Sequence, residues 1–331
     1  MKFRILLTGK NGQLGAELAS CLPCLGEVIA RDRHQLDISD AGAIRRTIRE
    51  LRPALIVNAA AYTAVDQAES DAAAAQAVNS EGPAIIAQEA KRIGATLVHY
   101  STDYVFDGEK SAPYEEVDEV NPINVYGKAK LAGEQAIQRT GLPYLIFRTS
   151  WVYGTRGRNF LLSILRLAAV REELRVVSDQ VGAPTWSRAI AVASVQILVE
   201  LLGSGARIPN LQKLSGIYHL TAAGETSWYG FARAILEECS DPTPLGAWFR
   251  AAIGGRQLVA QRVIPISTRD YPSSARRPAY SVLSNAKLLQ VFGLSMLSWH
   301  KQLHLAIREA DAADLQSPSL KTAFLQGPSR N

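Results

Sequence analysis

Tyr126 and Lys130 stand four residues apart, so on a helix both project from one face. A phenol with its ordinary pKa of about 10 is a poor acid–base group near neutrality. An ammonium beside it stabilises the phenolate, and lowering the pKa by roughly three units takes about 4 kcal/mol of differential interaction. A phenol tuned in this way suits proton delivery to a carbonyl under reduction. A lone pair of this kind is also what an ordinary exposed helix face carries, so its meaning depends on its surroundings. Thr102, in Ser101-Thr102-Asp103, ends a predicted strand. That is the carboxyl edge at which doubly wound folds bind ligands, and its hydroxyl suits a hydrogen bond to a substrate carbonyl.

A second group of residues suits a dinucleotide. Gly9, Gly12 and Gly15, with Lys10, Asn11, Gln13 and Leu14 between them, form GxxGxxG after a predicted strand and at the start of a predicted helix. Glycines there permit a tight turn and let helix N–H groups face a pyrophosphate. The spacing is not that of a GxxxxGK[ST] loop. Asp32 follows the loop at the distance of an acid that accepts the adenosine ribose hydroxyl, while Arg31 and Arg33 flank it and suit a 2'-phosphate. The mixed signal points to NADPH, with NADH open. Asp37-Ile38 are placed to cover the adenine, and the small residues of Asn58-Ala59-Ala60-Ala61-Tyr62 to let the nicotinamide ribose approach the sheet edge.

The elements that must position these groups read as alternating strands and helices. Strands are expected at Lys2–Thr8, Glu27–Ala30, Ala54–Asn58, Ala95–Ser101 and Pro143–Thr149. The helices between them are expected through Leu22 and at Ala41–Arg52, Asp71–Ile93 and Asn124–Thr140. The alternation predicts an α/β fold, a doubly wound parallel sheet of Rossmann type. Residues 1–170 form the dinucleotide-binding domain in this reading. Residues 171–310 form mainly a smaller, interleaved α/β substrate domain, with 187–204 packing back on the first. Gly216–Leu220, the helical Trp228–Cys239 and Leu258–Pro265 are assigned to the smaller unit, and 316–331 reads as a loosely held tail.

The 331 residues carry a net charge of +5, 47% hydrophobic residues and 20% charged ones, ordinary for a soluble globular chain. No apolar run approaches the roughly 18 residues of a membrane span. The N-terminus runs directly into the glycine motif as a strand, which implies a cytoplasmic protein. Arg45, Arg46, Arg49 and Arg52 lie on one predicted helix without an aromatic stacking platform, so they read as a solvated face and not as a nucleic-acid site. Three cysteines make no disulfide framework, and the Cys21-Pro23-Cys24 spacing lies away from other reactive groups. Five histidines without clustered ligands imply no obligatory transition-metal site.

Thr102, Tyr126 and Lys130 behind a glycine loop resemble the extended short-chain dehydrogenase/reductases. The segments NAAAYTAVDQAE (58–69), YSTDYVFDG (100–108), NPINVYGKAKLAGE (121–134), RTSWVYG (148–154), DQVGAPT (179–185) and ARRP (275–278) narrow this. Over residues 2–306 the chain resembles the dTDP-4-dehydrorhamnose reductases. The resemblance implies reduction of the C4 ketone of a dTDP-sugar, with Tyr126 as proton donor, Lys130 on the nicotinamide ribose and Thr102 polarising the ketone. It implies sugar and nucleotide contacts from Asp103, Tyr104 and Trp151, a pocket floor from Asp179-Gln180 and 182–185, and a diphosphate contact from Arg276. Some relatives dimerise through Mg2+ held by acidic side chains. Glu17 suits one ligand, but Trp186-Ser187-Arg188-Ala189 offers no second carboxylate, which leaves monomer or homodimer open. Two other functions fit the same motifs: a reductase of another nucleotide-linked 4-keto-6-deoxysugar, and a non-catalytic dinucleotide-binding subunit resembling the regulatory one of methionine adenosyltransferase.

Overall fold

Short apolar runs that bury both faces make the strands of a parallel sheet; four do so here, and two less buried edge strands complete a sheet of six. The computed structural model describes residues 3–202, 211–240 and 245–308. The expected tail at 316–331 lies outside the described residues. The strands are β1 (Arg4–Thr8), β2 (Glu27–Arg31), β3 (Leu55–Asn58), β4 (Thr96–Thr102), β5 (Tyr144–Thr149) and β6 (Gly216–His219). They lie side by side in the order 6-5-4-3-1-2, all parallel. The chain reverses its direction of travel across the sheet at β1, so the crevice beyond the carboxyl ends of β1 and β3 is where a doubly wound sheet takes a ligand.

Both faces are covered. Helices α2 (Ala41–Leu51), α3 (Gly82–Ile93) and α4 (Val125–Thr140) close one face over Leu6, Ile56, Leu97 and Ile146. Helices α1 (Gln13–Cys21), α5 (Phe160–Ala168) and α6 (Ser187–Leu202) contribute to the other, with α6 packed along α1. The same core continues without a break into α7 (Trp228–Ser240) and on to Leu303 and Ile307. A small parallel pair, Glu173–Val177 with Arg262–Ile266, lies beyond α5. No described helix is long and apolar enough to cross a membrane.

Two elements differ from expectation. Gly216–His219, assigned from sequence to the smaller unit, pairs with Leu145–Arg148 and forms the sixth strand of the main sheet. The helix expected over 71–93 is interrupted by a π turn at Ala77–Glu81. Asn79 in that turn accepts from Tyr62 N and donates to Tyr62 O, both at 2.9 Å. The wide turn thus delivers an amide that pins the backbone leaving β3, a tertiary demand that local periodicity does not reveal.

Candidate active site

A cavity of about 670 Å³ opens along the carboxyl ends of the strands, within the range of small-molecule sites. Its cofactor-side wall begins where β1 turns into α1. Gly9 has φ +75°, and a Cβ there would lie 2.7 Å from Ala60 N, so only glycine lets this loop touch the end of β3. Asn11, Gly12, Gln13 and Leu14 line the cavity beside it, followed by Asp32, Arg33, Asp37 and Ile38, then Ala60, Ala61 and Tyr62. The buried Tyr62 hydroxyl has no hydrogen-bond partner among the described residues. The far end is lined by Thr102, Asp103, Tyr104, Tyr126, Lys130 and Trp151.

Tyr126 sits in the first turn of α4. Asn124 caps that helix, accepting from Gly127 N at 2.8 Å and donating to Arg276 O at 2.9 Å. One turn further, Lys130 is buried, and its Nζ donates to Tyr100 O at 2.6 Å. Thr102, the last residue of β4, donates from Oγ1 to Asp103 Oδ1 at 3.0 Å and accepts from Tyr104 N at 3.1 Å. The Tyr104 ring meets that of Tyr126 edge-on, with centroids 5.8 Å apart. The hydroxyl–phenol–ammonium set read from the sequence therefore converges on one end of one cavity.

Electrostatics there are set first by burial. It raises the Tyr126 phenol to about 12, partly offset by a hydrogen bond with Thr102 and reinforced by the charge of Asp103. It lowers Lys130 to about 8, against the upward pull of Glu134. The direction for Tyr126 is opposite to the lowering that the Tyr–Lys spacing suggested, because the Lys130 ammonium is turned to the Tyr100 carbonyl. The phenol is thus protonated at neutral pH. Burial lifts the Asp103 carboxyl to about 6, although hydrogen bonds from Ser281, Thr102 and Ser150 stabilise its anion. On the cofactor side, backbone N–H groups of Gln35 and His34 together with Lys10 outweigh a burial penalty and hold Asp32 below the usual carboxylate range. Arg33 is an exposed guanidinium 3.2 Å from Asp37.

Three residues read as binding groups lie outside the cavity lining. Gly15 is a packing glycine, since a Cβ there would lie 2.0 Å from Gly9 O. Lys10 is turned away to Asp32, at 3.4 Å, and to Gln35, at 2.8 Å. Arg276 is exposed, and the neighbouring Arg277, also outside the lining, is half-buried, paired with Asp66 at 2.6 Å and hydrogen-bonded with Tyr104. Two arginines in one extended loop cannot be told apart by sequence. The expected floor residues act from behind: Gly182 presses against Trp151, and Gln180 accepts from Trp228 Nε1 at 3.2 Å. Trp228, not foreseen, lines the cavity and stacks on Trp151 at 3.5 Å, while Trp151 itself has a left-handed backbone, φ +46°. Glu17, the suggested metal ligand, is buried and accepts from Arg188 Nε at 3.0 Å. Among the described residues no group of three or more acidic, His or Cys side chains could hold a metal ion.

The family model for the RmlD substrate binding domain matches residues 2–312. The chain belongs to this family. It is 47% identical over 306 residues to a dTDP-4-dehydrorhamnose reductase of Burkholderia thailandensis, covering 92% of this chain and 98% of that one. It is 42% identical over 299 residues to the protein of that name from Escherichia coli K12, covering 89% and 94%. The crystal structure of a Bacillus anthracis dTDP-4-dehydrorhamnose reductase in complex with NADP superposes with a TM-score of 0.79. That protein is 35% identical, and the match covers 92% of this chain and 99% of that one. Segments 58–69, 100–108, 121–134 and 148–154 quoted from the sequence all contribute to the cavity lining.

Proposed function

We infer that this RmlD-family protein reduces the C4 ketone of dTDP-4-dehydro-L-rhamnose to dTDP-L-rhamnose, using NADPH and accepting NADH less well. The observation that carries this reading is the meeting of Thr102, Tyr126 and Lys130 at the end of a cavity whose other end is a glycine turn. The cradle fits a dinucleotide. Gly9 leaves room for close approach, the orphaned Tyr62 hydroxyl needs a ligand partner, and Arg33 presents an exposed cation beside Asp32. A bound nicotinamide supplies the hydride.

The chain's own groups do the rest. Thr102 and Tyr126 hydrogen-bond the ketone oxygen, so both stabilise charge that grows only as the transition state forms. Tyr126, protonated at neutral pH, gives its phenolic proton to the forming alkoxide. Lys130 then stabilises the resulting phenolate from one helical turn away. Asp103, Tyr104 and Trp151, with Trp228, grip the sugar, and the loop carrying Arg276 and Arg277 supplies the cation for the diphosphate. In this reading 1–170 carry the cofactor and the later segments shape the sugar site. The decisive experiment is NADPH oxidation with dTDP-4-dehydro-L-rhamnose made in situ. Turnover with this ketone is expected, and its absence, with turnover of a different nucleotide-linked 4-keto sugar, would reassign the substrate.

A further inference from the structure

Thr8, Asn58 and His99 are register partners on three adjacent strands, β1, β3 and β4. Strand faces alternate, so the three side chains share the face that carries Leu6, Ile56 and Leu97 under α2, α3 and α4. Apolar residues are the ordinary occupants of such positions, yet each of these polar ones is only 1% exposed. They form a row. Thr8 Oγ1 and Asn58 Oδ1 are 2.6 Å apart, Asn58 Nδ2 and His99 Nδ1 3.0 Å, and His99 Nε2 and Lys130 Nζ 3.4 Å. Buried polar groups are costly unless satisfied, so the proton count along this row is constrained.

Burial, reinforced by the charge of Lys130, pushes the His99 imidazole well below its ordinary range, which leaves it neutral. With Asn58 Nδ2 facing Nδ1 and an ammonium facing Nε2, both ring nitrogens would have to accept, which a neutral imidazole cannot do. The two ends of an amide have the same shape and are told apart by their hydrogen bonds. Turning the Asn58 amide over resolves the conflict. Its oxygen then accepts from His99 Nδ1–H, and its NH2 donates to Thr8 Oγ1.

We propose that His99 is a positioning residue for Lys130, held by Asn58 in the Nδ1–H tautomer so that Nε2 accepts one ammonium proton. The Tyr100 carbonyl accepts a second. A tetrahedral ammonium with two N–H directions fixed has its third fixed as well, and Lys130 lines the cavity beside Tyr126. The lysine is therefore aimed by the sheet beneath it, through a row that begins in the strand feeding the glycine turn. The inference rests on the reading of Lys130 as the partner of the phenol and the nicotinamide ribose.

Nitrogen-15 spectra of the histidine-labelled full chain, with the His99 signals identified by their loss in His99→Gln, read the tautomer directly. Protonated Nδ1 and bare Nε2 are expected across neutral pH. The Nε2–H form or an imidazolium would overturn the proposal. In turnover, His99→Phe keeps a ring but loses the acceptor, and kcat should fall about 100-fold with little change in sugar KM. His99→Gln places an amide oxygen near the Nε2 position and should restore most of the loss. Wild-type kcat in a folded Phe variant, or equal losses in Phe and Gln variants with equal drops in thermal midpoint, would reduce His99 to packing. If the Phe variant does not fold, the Gln variant and the tautomer decide. A wild-type chain inactive on every keto-sugar would defeat the reductase reading while leaving the tautomer result to stand or fall by itself.

Discussion

Tyr126 lies in the first turn of a helix, where burial holds its proton on at neutral pH against a hydrogen bond with Thr102 that favours the phenolate. Tyr126→Phe should therefore lower kcat by about 100-fold or more, the range of a lost general acid, while cofactor affinity is nearly kept. Full activity in that variant, measured by NADPH oxidation, would remove Tyr126 from the proton-donor role. Arg33 is an exposed cation lining the cavity beside Asp32, and Arg33→Ala should raise the Kd for NADPH much more than that for NADH. Equal effects on the two cofactors would mean that Arg33 does not read the 2'-phosphate. Asp103 makes a prediction about pH. Its folded carboxyl titrates at about 6 against an ordinary 3.8, so between those values the folded chain binds more protons than the unfolded chain, and stability falls as pH rises through that window. The loss amounts to about 3 kcal/mol at its upper limit. Denaturant titrations at intervals from acid to neutral pH should show this decline in the wild type and a flatter profile in Asp103→Asn.

Between elements, two ion pairs do different work. Glu134 on α4 accepts two hydrogen bonds from Arg148 on β5, at 3.0 and 2.7 Å, and both side chains are buried. Removing one partner strands the other charge, so Glu134→Ala should lower unfolding free energy by about 3–5 kcal/mol. A change below about 1 kcal/mol in urea melts would show that water reaches Arg148. The second pair is half exposed. Asp66, in the short helix Val65–Ala68, accepts from Ser273, Ala275 N and Arg277, and so ties the late loop to the first half of the chain beside Tyr104. Its loss matters for the ligand more than for the fold. Asp66→Ala should raise the KM for the nucleotide sugar and leave kcat within a few-fold of wild type, which steady-state kinetics can separate. Elements of this kind also mark where sequence reading stops. The buried strands were legible because apolar runs ending in Gly9, Asn58 or Thr102 announce both a parallel strand and its functional edge. The π turn at Ala77–Glu81 was not, because its cause is the Tyr62 backbone that Asn79 pins, which lies 17 residues away.

At the scale of the molecule, one apolar core runs from Ile5 and Leu7 through Phe231 to Leu303. That continuity explains why Gly216–His219 was misassigned: an apolar run shows that a strand is buried but not which neighbour it pairs with, and here the chain returns to the first sheet after a long excursion. It also predicts a single cooperative heat-capacity transition for the whole chain, and two well-separated calorimetric peaks would contradict it. The later half meets the earlier one again above the core, where Trp151 leaves β5 and Trp228 opens α7 with their rings parallel at 3.5 Å. Only these two of the five tryptophans line the cavity. The molecule consequently carries an intrinsic optical gauge of its own mouth. A sugar that slides between the indoles must unstack them and change the emission, one that lies across their edges leaves the signal unmoved, and Trp228→Phe silences the gauge either way.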